Sequence, residues 1–334
     1  MIVRSHGGSY QVLIGSLADI PEMDVALVDA NVHRLWADRL NLPKRVRVIP
    51  SGEQSKSFSV LEATTEWLGS SGVTREDRLL VLGGGVTGDL GGLVAGLYMR
   101  GIPYVQVPTT LLAMVDSSVG GKVAIDLGSG KNLAGMFYPP TAVYIATDFL
   151  STLPVRQIRN GMAEVLKYGF IIDTELLTTL DLNSDNRDHA SLIRRCVELK
   201  ANVVEQDEMD VTGLRAILNF GHTIGHAVEL LTGYSEVLHG EAISIGMVVE
   251  ARLGELLGIT SPQTSKTISE RLLKEGLPVT HPCLAEADQI VNALQADKKT
   301  GRHGLAFSLL TRIGECKLVK SISPGDVKVA LLTQ

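Results

Sequence analysis

Leu79-Leu-Val-Leu82 runs straight into Gly83-Gly-Gly-Val-Thr-Gly-Asp-Leu-Gly-Gly92, and the reading of this stretch decides the fold. An apolar run bounded by a glycine turn reads as a buried strand entering a helix. Read as Gly83-x-Gly85-x-x-Gly88, the turn matches a dinucleotide fingerprint at the position where that pattern has physical meaning. Without side chains the backbone approaches a pyrophosphate closely, and the following helix N-terminus favours its charge. A tight structural turn supplies the same glycines, so the weight comes from the strand in front of it. The acidic residue expected about 20 positions downstream for a ribose is missing: Gly101 to Val115 contains neither Asp nor Glu. Ribose contacts are therefore expected from Asp29, at the end of Ala26-Leu-Val-Asp29, or from the loop Ser51, Gly52, Glu53, Gln54, Ser55 and Lys56. A helix cap and a solvated loop are the plainer readings of these two segments.

Working outward, Val25–Val28, Arg45–Ile49, Tyr104–Val107 and Ala142–Ile145 read as further short apolar strands, with helical patterns at Asn31–Leu40 and Ser57–Gly69. Such alternation predicts a Rossmann-like, doubly wound parallel sheet covered on both faces, an α/β fold. Lys122–Asp126, followed by Leu-Gly-Ser-Gly, reads as one arm of a hairpin. Beyond Leu153-Pro154 helical patterns dominate: 155–168, 189–205, 214–231, 240–257, 265–276 and 287–298. A small hairpin is expected from Leu305–Leu310 and Cys316–Val319. The expectation is thus two domains, an α/β half over 1–150 and a mainly α-helical, metal-binding half over 151–334.

The composition of the 334 residues removes several function classes. Thirty-one basic against 37 acidic residues leave a net charge of −6, which argues against a general nucleic-acid binder. Three widely spaced cysteines exclude a disulfide scaffold and fit a reducing, cytoplasmic setting. No apolar run approaches the roughly 18 residues of a membrane span, and no apolar leader follows Met1. Aromatics are scarce at 4%, whereas glycine is abundant at 34 residues. Many glycines cluster at 83–92, 120–121 and 128–130, and at 221 and 225. Each cluster is read as a place where backbone approaches a ligand.

Two further segments carry chemistry. Pro108-Thr-Thr-Leu-Leu-Ala-Met-Val-Asp-Ser-Ser-Val-Gly-Gly-Lys122 places hydroxyls, Asp116 and Lys122 around glycines, and Lys131-Asn132 follows closely. Lysines beside glycines suit phosphate, because a cation and free N–H groups converge on it. In Asn219-Phe-Gly-His-Thr-Ile-Gly-His226, His222 and His226 stand at i, i+4 on one helix face, a spacing that places two imidazoles on one metal. Leu238-His-Gly-Glu241 adds His239, and Gly161-Met-Ala-Glu-Val-Leu-Lys-Tyr168 offers Glu164 as a carboxylate ligand. Two imidazoles and a carboxylate resemble a catalytic zinc site more than a closed structural one.

These blocks, taken in order, resemble the 3-dehydroquinate synthase family. The resemblance is carried by Gly-Glu-Gln-Ser-Lys (52–56), Gly-Gly-Gly-Val-Thr-Gly-Asp (83–89), Arg-Gly-Ile (100–102), Pro-Thr-Thr-Leu-Leu-Ala (108–113) and Val-Asp-Ser-Ser-Val-Gly-Gly-Lys (115–122). It continues through Gly-Lys-Asn (130–132), Gly-Met-Ala-Glu-Val-Leu-Lys (161–167), Leu-Arg-Ala-Ile-Leu-Asn-Phe-Gly-His-Thr-Ile-Gly-His (214–226) and Leu-His-Gly-Glu (238–241). The family implies a transient oxidation of 3-deoxy-D-arabino-heptulosonate 7-phosphate by tightly held NAD. Phosphate elimination, re-reduction, ring opening and an intramolecular aldol closure then follow, with no net redox change.

By the family pattern, Glu164, His222 and His239 bind divalent zinc or cobalt, and His226 relays protons instead of binding metal. Lys122, Asn132 and Lys167 bind substrate with Asp116 assisting, and Lys200, Arg215, Asn219 and Lys298 complete the pocket. Arg215 suits a carboxylate, which a guanidinium grips bidentately. Arg100 is assigned to the phosphate, across the interface of a homodimer. NAD falls to Glu53, Lys56, Gly85, Val86, Thr87, Gly88, Asp89, Thr109, Thr110, Lys122, Lys131 and the loop Phe149, Leu150, Ser151 and Thr152. The chain departs from the usual pattern at Asp126, where many members carry Asn, and at Leu93, where Phe is frequent. Metal-dependent alcohol or glycerol dehydrogenases, other sugar-phosphate cyclases and a sensor without turnover are the competing readings.

Overall fold

The computed structural model describes residues 1–5, 8–128, 130–178, 188–234, 236–296 and 304–333. The chain divides into two compact units, residues 1–158 with 189–208 and residues 159–188 with 209–334.

The sheet of the first unit contains β1 (Ile2–Ser5), β2 (Gly8–Gly15), β3 (Val25–Asp29), β4 (Arg45–Ile49), β5 (Leu79–Gly83), β6 (Tyr104–Pro108) and β9 (Ala142–Ala146). Their spatial order is β1-β2-β9-β6-β5-β3-β4. All neighbours run parallel except β1 against β2. β7 (Lys122–Leu127) and β8 (Gly130–Phe137) form a separate antiparallel hairpin. α1 (Ala30–Trp36), α2 (Phe58–Ser70) and α3 (Gly85–Leu97) connect the strands. Every residue of β5 is buried, which explains its unbroken apolar run. The β1–β2 hairpin escapes sequence reading because it lies at the sheet edge and buries only alternate residues such as Val3, Tyr10 and Val12.

The winding reverses between β3 and β5. From β3 the chain passes through α1 outward to β4; from β5 it passes through α3 to β6 on the other side. With Val28 paired to Leu82, Asp29 and Gly83 end side by side. In open parallel sheets this switch point is where ligands bind.

The glycines of this stretch differ from the expectation that all of them face a ligand. Only Gly83 and Gly84 precede the helix, and the remaining glycines up to Gly92 lie within α3. A Cβ at Gly91 would fall 2.5 Å from Val81, and one at Gly92 would fall 2.4 Å from Val123. These two glycines let the helix lie close on the strands; ligand approach does not explain them.

α4 (Val155–Ile171) begins in the first unit and continues into the second, followed by α5 (Glu175–Thr178). α6 (His189–Gln206) packs on β1, β2 and the turn Ala113–Ser117, so its apolar face belongs to the first unit and not with the helices around it in sequence.

The second unit contains α7 (His222–Leu231), α8 (His239–Leu256), α9 (Thr264–Lys274), α10 (Ala287–Ala296), the hairpin β10 (Leu305–Arg312) with β11 (Glu315–Ile322), and α11 (Pro324–Leu332). Ile224, Val228, Ile245, Val249, Leu253, Ile290, Phe307 and Val327 share its core. The single helix expected over 214–231 is broken. A short 3₁₀ turn, Arg215–Asn219, ends before Gly221, which takes a left-handed φ of 83°. A Cβ there would lie 2.5 Å from Met247 Cγ and 2.7 Å from the carbonyl oxygen of Ile243. Close crossing of α7 on α8 therefore demands glycine. Among the described residues no helix is long and apolar enough to cross a membrane.

Candidate functional site

In the first unit the expected cofactor residues leave the carboxyl ends of parallel strands. Asp29 ends β3, and its carboxylate caps α1 by accepting from Asn31 N (2.8 Å) and Val32 N (3.3 Å). Ser51 Oγ, beyond β4, donates to the same carboxylate oxygen at 2.8 Å. The helix-cap reading of Asp29 is thus observed, and the cap also ties the β3 and β4 ends together. Gly52, with φ 105°, opens the tight turn Glu53–Ser55. Gln54 Nε2 donates to the Ser51 carbonyl, and buried Ser55 donates to that of Pro50.

Gly83 and Gly84 leave β5, and Thr109 and Thr110 follow β6. Thr109 N donates to the Gly83 carbonyl at 2.9 Å, fastening the two ends. Cβ atoms at Gly84 and Gly85 would stand 3.0 Å from Thr110 and 3.1 Å from Ser117 Oγ. Among the described residues, the buried Thr87 Oγ1 and Ser117 Oγ have no hydrogen-bond partner. Val86, Thr87 and Gly88 follow in the first turn of α3. Free first-turn N–H groups and unpartnered hydroxyls beside glycines are what a pyrophosphate requires. Beyond β9, Phe149 and Leu150 are buried, with the Phe149 ring edge-on to Trp36 at 5.1 Å. Thr152 Oγ1 accepts from Trp36 Nε1, and Ser151 Oγ donates to the Asp148 carbonyl.

Lys56 is the hub of this end. Only 5% exposed, it lies 2.8 Å from Asp89 and 3.9 Å from both Glu53 and Asp126, and it donates to Asn132 Oδ1. Burial works to lower its pKa, but the carboxylates of Asp89, Glu53 and Asp126 outweigh that and hold it above the ordinary lysine value. Asn132, at φ 56°, donates its main-chain N–H to Asp126 Oδ1 at 2.8 Å. Lys131 sits 3.6 Å from Glu53. The structure thus gathers Asn132, expected at the substrate, around the same lysine as the expected cofactor residues. Asp126, noticed in the sequence only as a departure, belongs to this network.

Elsewhere in the first unit, buried Lys200 donates to Asp116 through its carbonyl (2.6 Å) and its carboxylate (2.8 Å). Lys122 begins β7 with its ammonium 5.8 Å from the Phe137 ring. Exposed Arg100 sits in a turn where it and Met99 both take positive φ.

The second unit contains a compact donor cluster. Glu164 and Lys167 lie on α4, one turn apart, at 0% and 1% exposure. Lys167 Nζ is 2.5 Å from Glu164 Oε2. His222 Nε2, from the first residue of α7, is 3.3 Å from Glu164 Oε1, and His239 Nε2, from the first residue of α8, is 3.4 Å from it. One ligand atom from each of Glu164, His222 and His239 lies within 4.8 Å of the others. Both Glu164 oxygens are buried, and neither has a well-aligned hydrogen bond among the described residues. Burial works to raise Glu164, but Lys167, His222 and His239 outweigh it and hold the carboxyl well below the usual carboxylate range. Burial and the Lys167 ammonium depress His222, which keeps a lone pair available. His239 opposes burial: Glu229 and Glu164, one at each ring nitrogen, push it up to about 10. The positive charge that two carboxylates draw onto this ring is charge that a divalent cation supplies equally well. An ionised carboxylate and two imidazoles fit a zinc-like ion with positions left for substrate oxygens.

His226, the other half of the i, i+4 pair, lies with its ring 5.5 Å from His222 and 6.1 Å from His239. Its ligand atoms group with those of Glu229 and His239 instead.

Three supporting residues escaped sequence reading. Buried Glu229, on α7, lies 3.4 Å from His239 Nδ1, leaving Nε2 toward Glu164. Its position, three after His226 and seven after His222, places it on the same helix face, a signal the sequence does contain. Asn160 Oδ1 accepts from Gly240 N at 2.5 Å, and Glu250 accepts from Gly221 N and Ile224 N. Both are long-range and leave no pattern in the chain. Arg215 is buried and Asn219 half-buried, at the two ends of the 3₁₀ turn before α7. Lys298 lies outside the described residues.

Comparison with known proteins places the chain in a family. The 3-dehydroquinate synthase N-terminal family model matches residues 46–160, and the C-terminal model matches 161–300. A 3-dehydroquinate synthase of Caldanaerobacter subterraneus subsp. tengcongensis is 43% identical over 314 residues, covering 90% of this chain and 87% of that protein. The chain belongs to the 3-dehydroquinate synthase family. Solved relatives of this family share its architecture over nearly the whole length. The 2-epi-5-epi-valiolone synthase of Streptomyces hygroscopicus subsp. jinggangensis, solved with NAD+ and Zn2+ bound, has a TM-score of 0.87 at 28% identity, covering 97% of this chain and 96% of that one. A 2-deoxy-scyllo-inosose synthase, complexed with carbaglucose-6-phosphate, NAD+ and Co2+, has a TM-score of 0.86 at 27% identity, covering 99% and 98%.

Proposed function

We infer that this chain is a 3-dehydroquinate synthase, converting 3-deoxy-D-arabino-heptulosonate 7-phosphate to 3-dehydroquinate and inorganic phosphate with NAD regenerated in each turnover. The observation that carries the reading is the convergence of Glu164, His222 and His239 beside Lys167, within a chain of this family. When bound, NAD supplies a reversible hydride acceptor and the divalent cation supplies acidity to the hydroxyl that is oxidised.

The chain's own residues do the rest. Lys167 keeps Glu164 ionised as a ligand, and Glu229 orients His239 through Nδ1. His226, on the same helix face, moves protons at the substrate. Arg215 grips the substrate carboxylate, with Asn219 beside it on the same turn. In the first unit, Asp116 is held by Lys200, and Lys122 and Asn132 bind polar groups of the substrate. Arg100 is proposed for the phosphate, within a cytoplasmic homodimer. The substrate's own phosphate serves as base for its elimination, so no separate protein base is required. We assign cofactor binding to 1–150, with Arg100, Lys122 and Asn132 as its substrate-binding contributions, and metal and substrate binding to 151–334, of which Lys200 packs in the first unit.

Purified protein with NAD and zinc or cobalt is expected to release phosphate from the heptulosonate without accumulating NADH. Steady NADH formation would instead support a polyol dehydrogenase, and inertness a sensor. Arg215→Ala separates this reading from cyclases whose substrates lack the carboxylate: it is expected to raise KM by about 10–100-fold, the loss of a charged, bidentate contact.

A further inference from the structure

α7 begins at His222, but its cap position is Gly221, where no side chain fits against α8. Gly246 closes the contact from the other side, since a Cβ there would fall 2.0 Å from the Gly221 carbonyl oxygen. Local capping by Ser, Thr, Asp or Asn, the usual answer to open first-turn N–H groups, is thus sterically shut out. Glu250 answers from α8. Its side chain, at 0% exposure, accepts from Gly221 N at 2.7 Å through Oε2 and from Ile224 N at 3.1 Å through Oε1. The two contacts bracket His222 along the backbone. These main-chain N–H groups of the α7 first turn hold the Glu250 carboxyl group in the core. α8 therefore sets two metal ligands at once, His239 from its own first residue and His222 through Glu250.

We propose that Glu250 is a positioning residue of the metal site, fixing the first turn of α7 so that His222 Nε2 faces Glu164. The assignment rests on the metal reading of Glu164, His222 and His239. Glu250→Gln is the sharpest perturbation: size is kept, but the carboxamide turns an N–H2 donor onto one of the two N–H groups. Glu250→Asp keeps both oxygens and shortens their reach.

The full-length protein loaded with cobalt is challenged with a chelator while visible absorption follows the ligand field. Glu250→Gln is expected to lose cobalt about 10–100-fold more readily, the range for loss of a partner behind a ligand, with shifted absorption bands. Glu250→Asp is expected to recover part of both. Wild-type chelator resistance and bands in Glu250→Gln would overturn the proposal. Failure of both variants to fold would overturn it as well, by making Glu250 a requirement of the core. Wild type and Glu164→Gln form the control. If wild type takes up no cobalt, or Glu164→Gln holds it as tightly, the metal reading itself fails.

Discussion

At the carboxyl edge of the first unit's sheet, most of the groups proposed for NAD come from five strand ends, and many are main-chain N–H groups or hydroxyls. In the second unit, the three proposed metal ligands are side chains of three helices, set by buried carboxyl groups and an amide behind them. A pyrophosphate is large and diffuse in charge, so many weak donors along one edge serve it. A divalent cation is small, and its ligands must meet within a few ångströms, which rigid helices ensure. The first site should accordingly degrade gradually under mutation, and the second abruptly.

The largest effect is expected from the second site. Glu164→Gln should abolish tight cobalt binding and lower phosphate release by more than the ~10–100-fold that loss of a supporting partner costs. NAD affinity, read by fluorescence titration, should stay unchanged. An equal loss of NAD binding would break the contrast between the two regions.

Next in size is Lys56→Met. It leaves Asp89, Asp126 and Glu53 around an apolar chain, and breaking such a pair from one side costs about 3 kcal/mol. Denaturant unfolding checks this, and an unchanged midpoint would mean that solvent already screens the cluster.

A smaller loss separates the two kinds of glycine. Gly91→Ala forces a methyl against Val81 and should destabilise by about 1–3 kcal/mol while NAD affinity is retained. Gly85→Val should do the reverse, weakening NAD with little change in melting. If Gly91→Ala weakened NAD as strongly, the packing assignment for the α3 glycines would be wrong.

A last test concerns pH. Burial pushes Glu250 up to about 8 from an ordinary 4.5, against the pull of the amides it caps. Between these values the folded chain binds the extra proton, so this contribution is complete below about 4.5 and is lost as pH rises through 8. Glu250→Gln removes it. The melting difference between chelator-treated wild type and Glu250→Gln should therefore move against wild type from pH 5 to 8; a flat difference would show that Glu250 titrates normally.

Legibility follows the range of the interactions. The parallel strands were readable because each is apolar over its length, and the glycine turn because strand, turn and helix are contiguous. The β1–β2 edge hairpin was not, since alternate burial over short strands leaves a weak pattern. α6 looks like its helical neighbours in sequence, yet its apolar face is taken up by β1, β2 and the 113–117 turn. His222 and His226 mark one helix face but do not say which imidazole meets Glu164. The family pattern proposed His222 with His239, and the fold brings those two to Glu164 while grouping His226 with Glu229.

What the sequence determined by itself is the α/β architecture, the turn at the switch point and the kinds of donor available, because these depend on residues close in the chain. Only the tertiary structure decided that Gly91 and Gly92 pack against strands, that Lys56 gathers Asp89, Asp126 and Asn132, and that Glu229, Asn160 and Glu250 stand behind the histidines. Those outcomes depend on distances between segments tens of residues apart, and only close packing of the finished fold sets such distances.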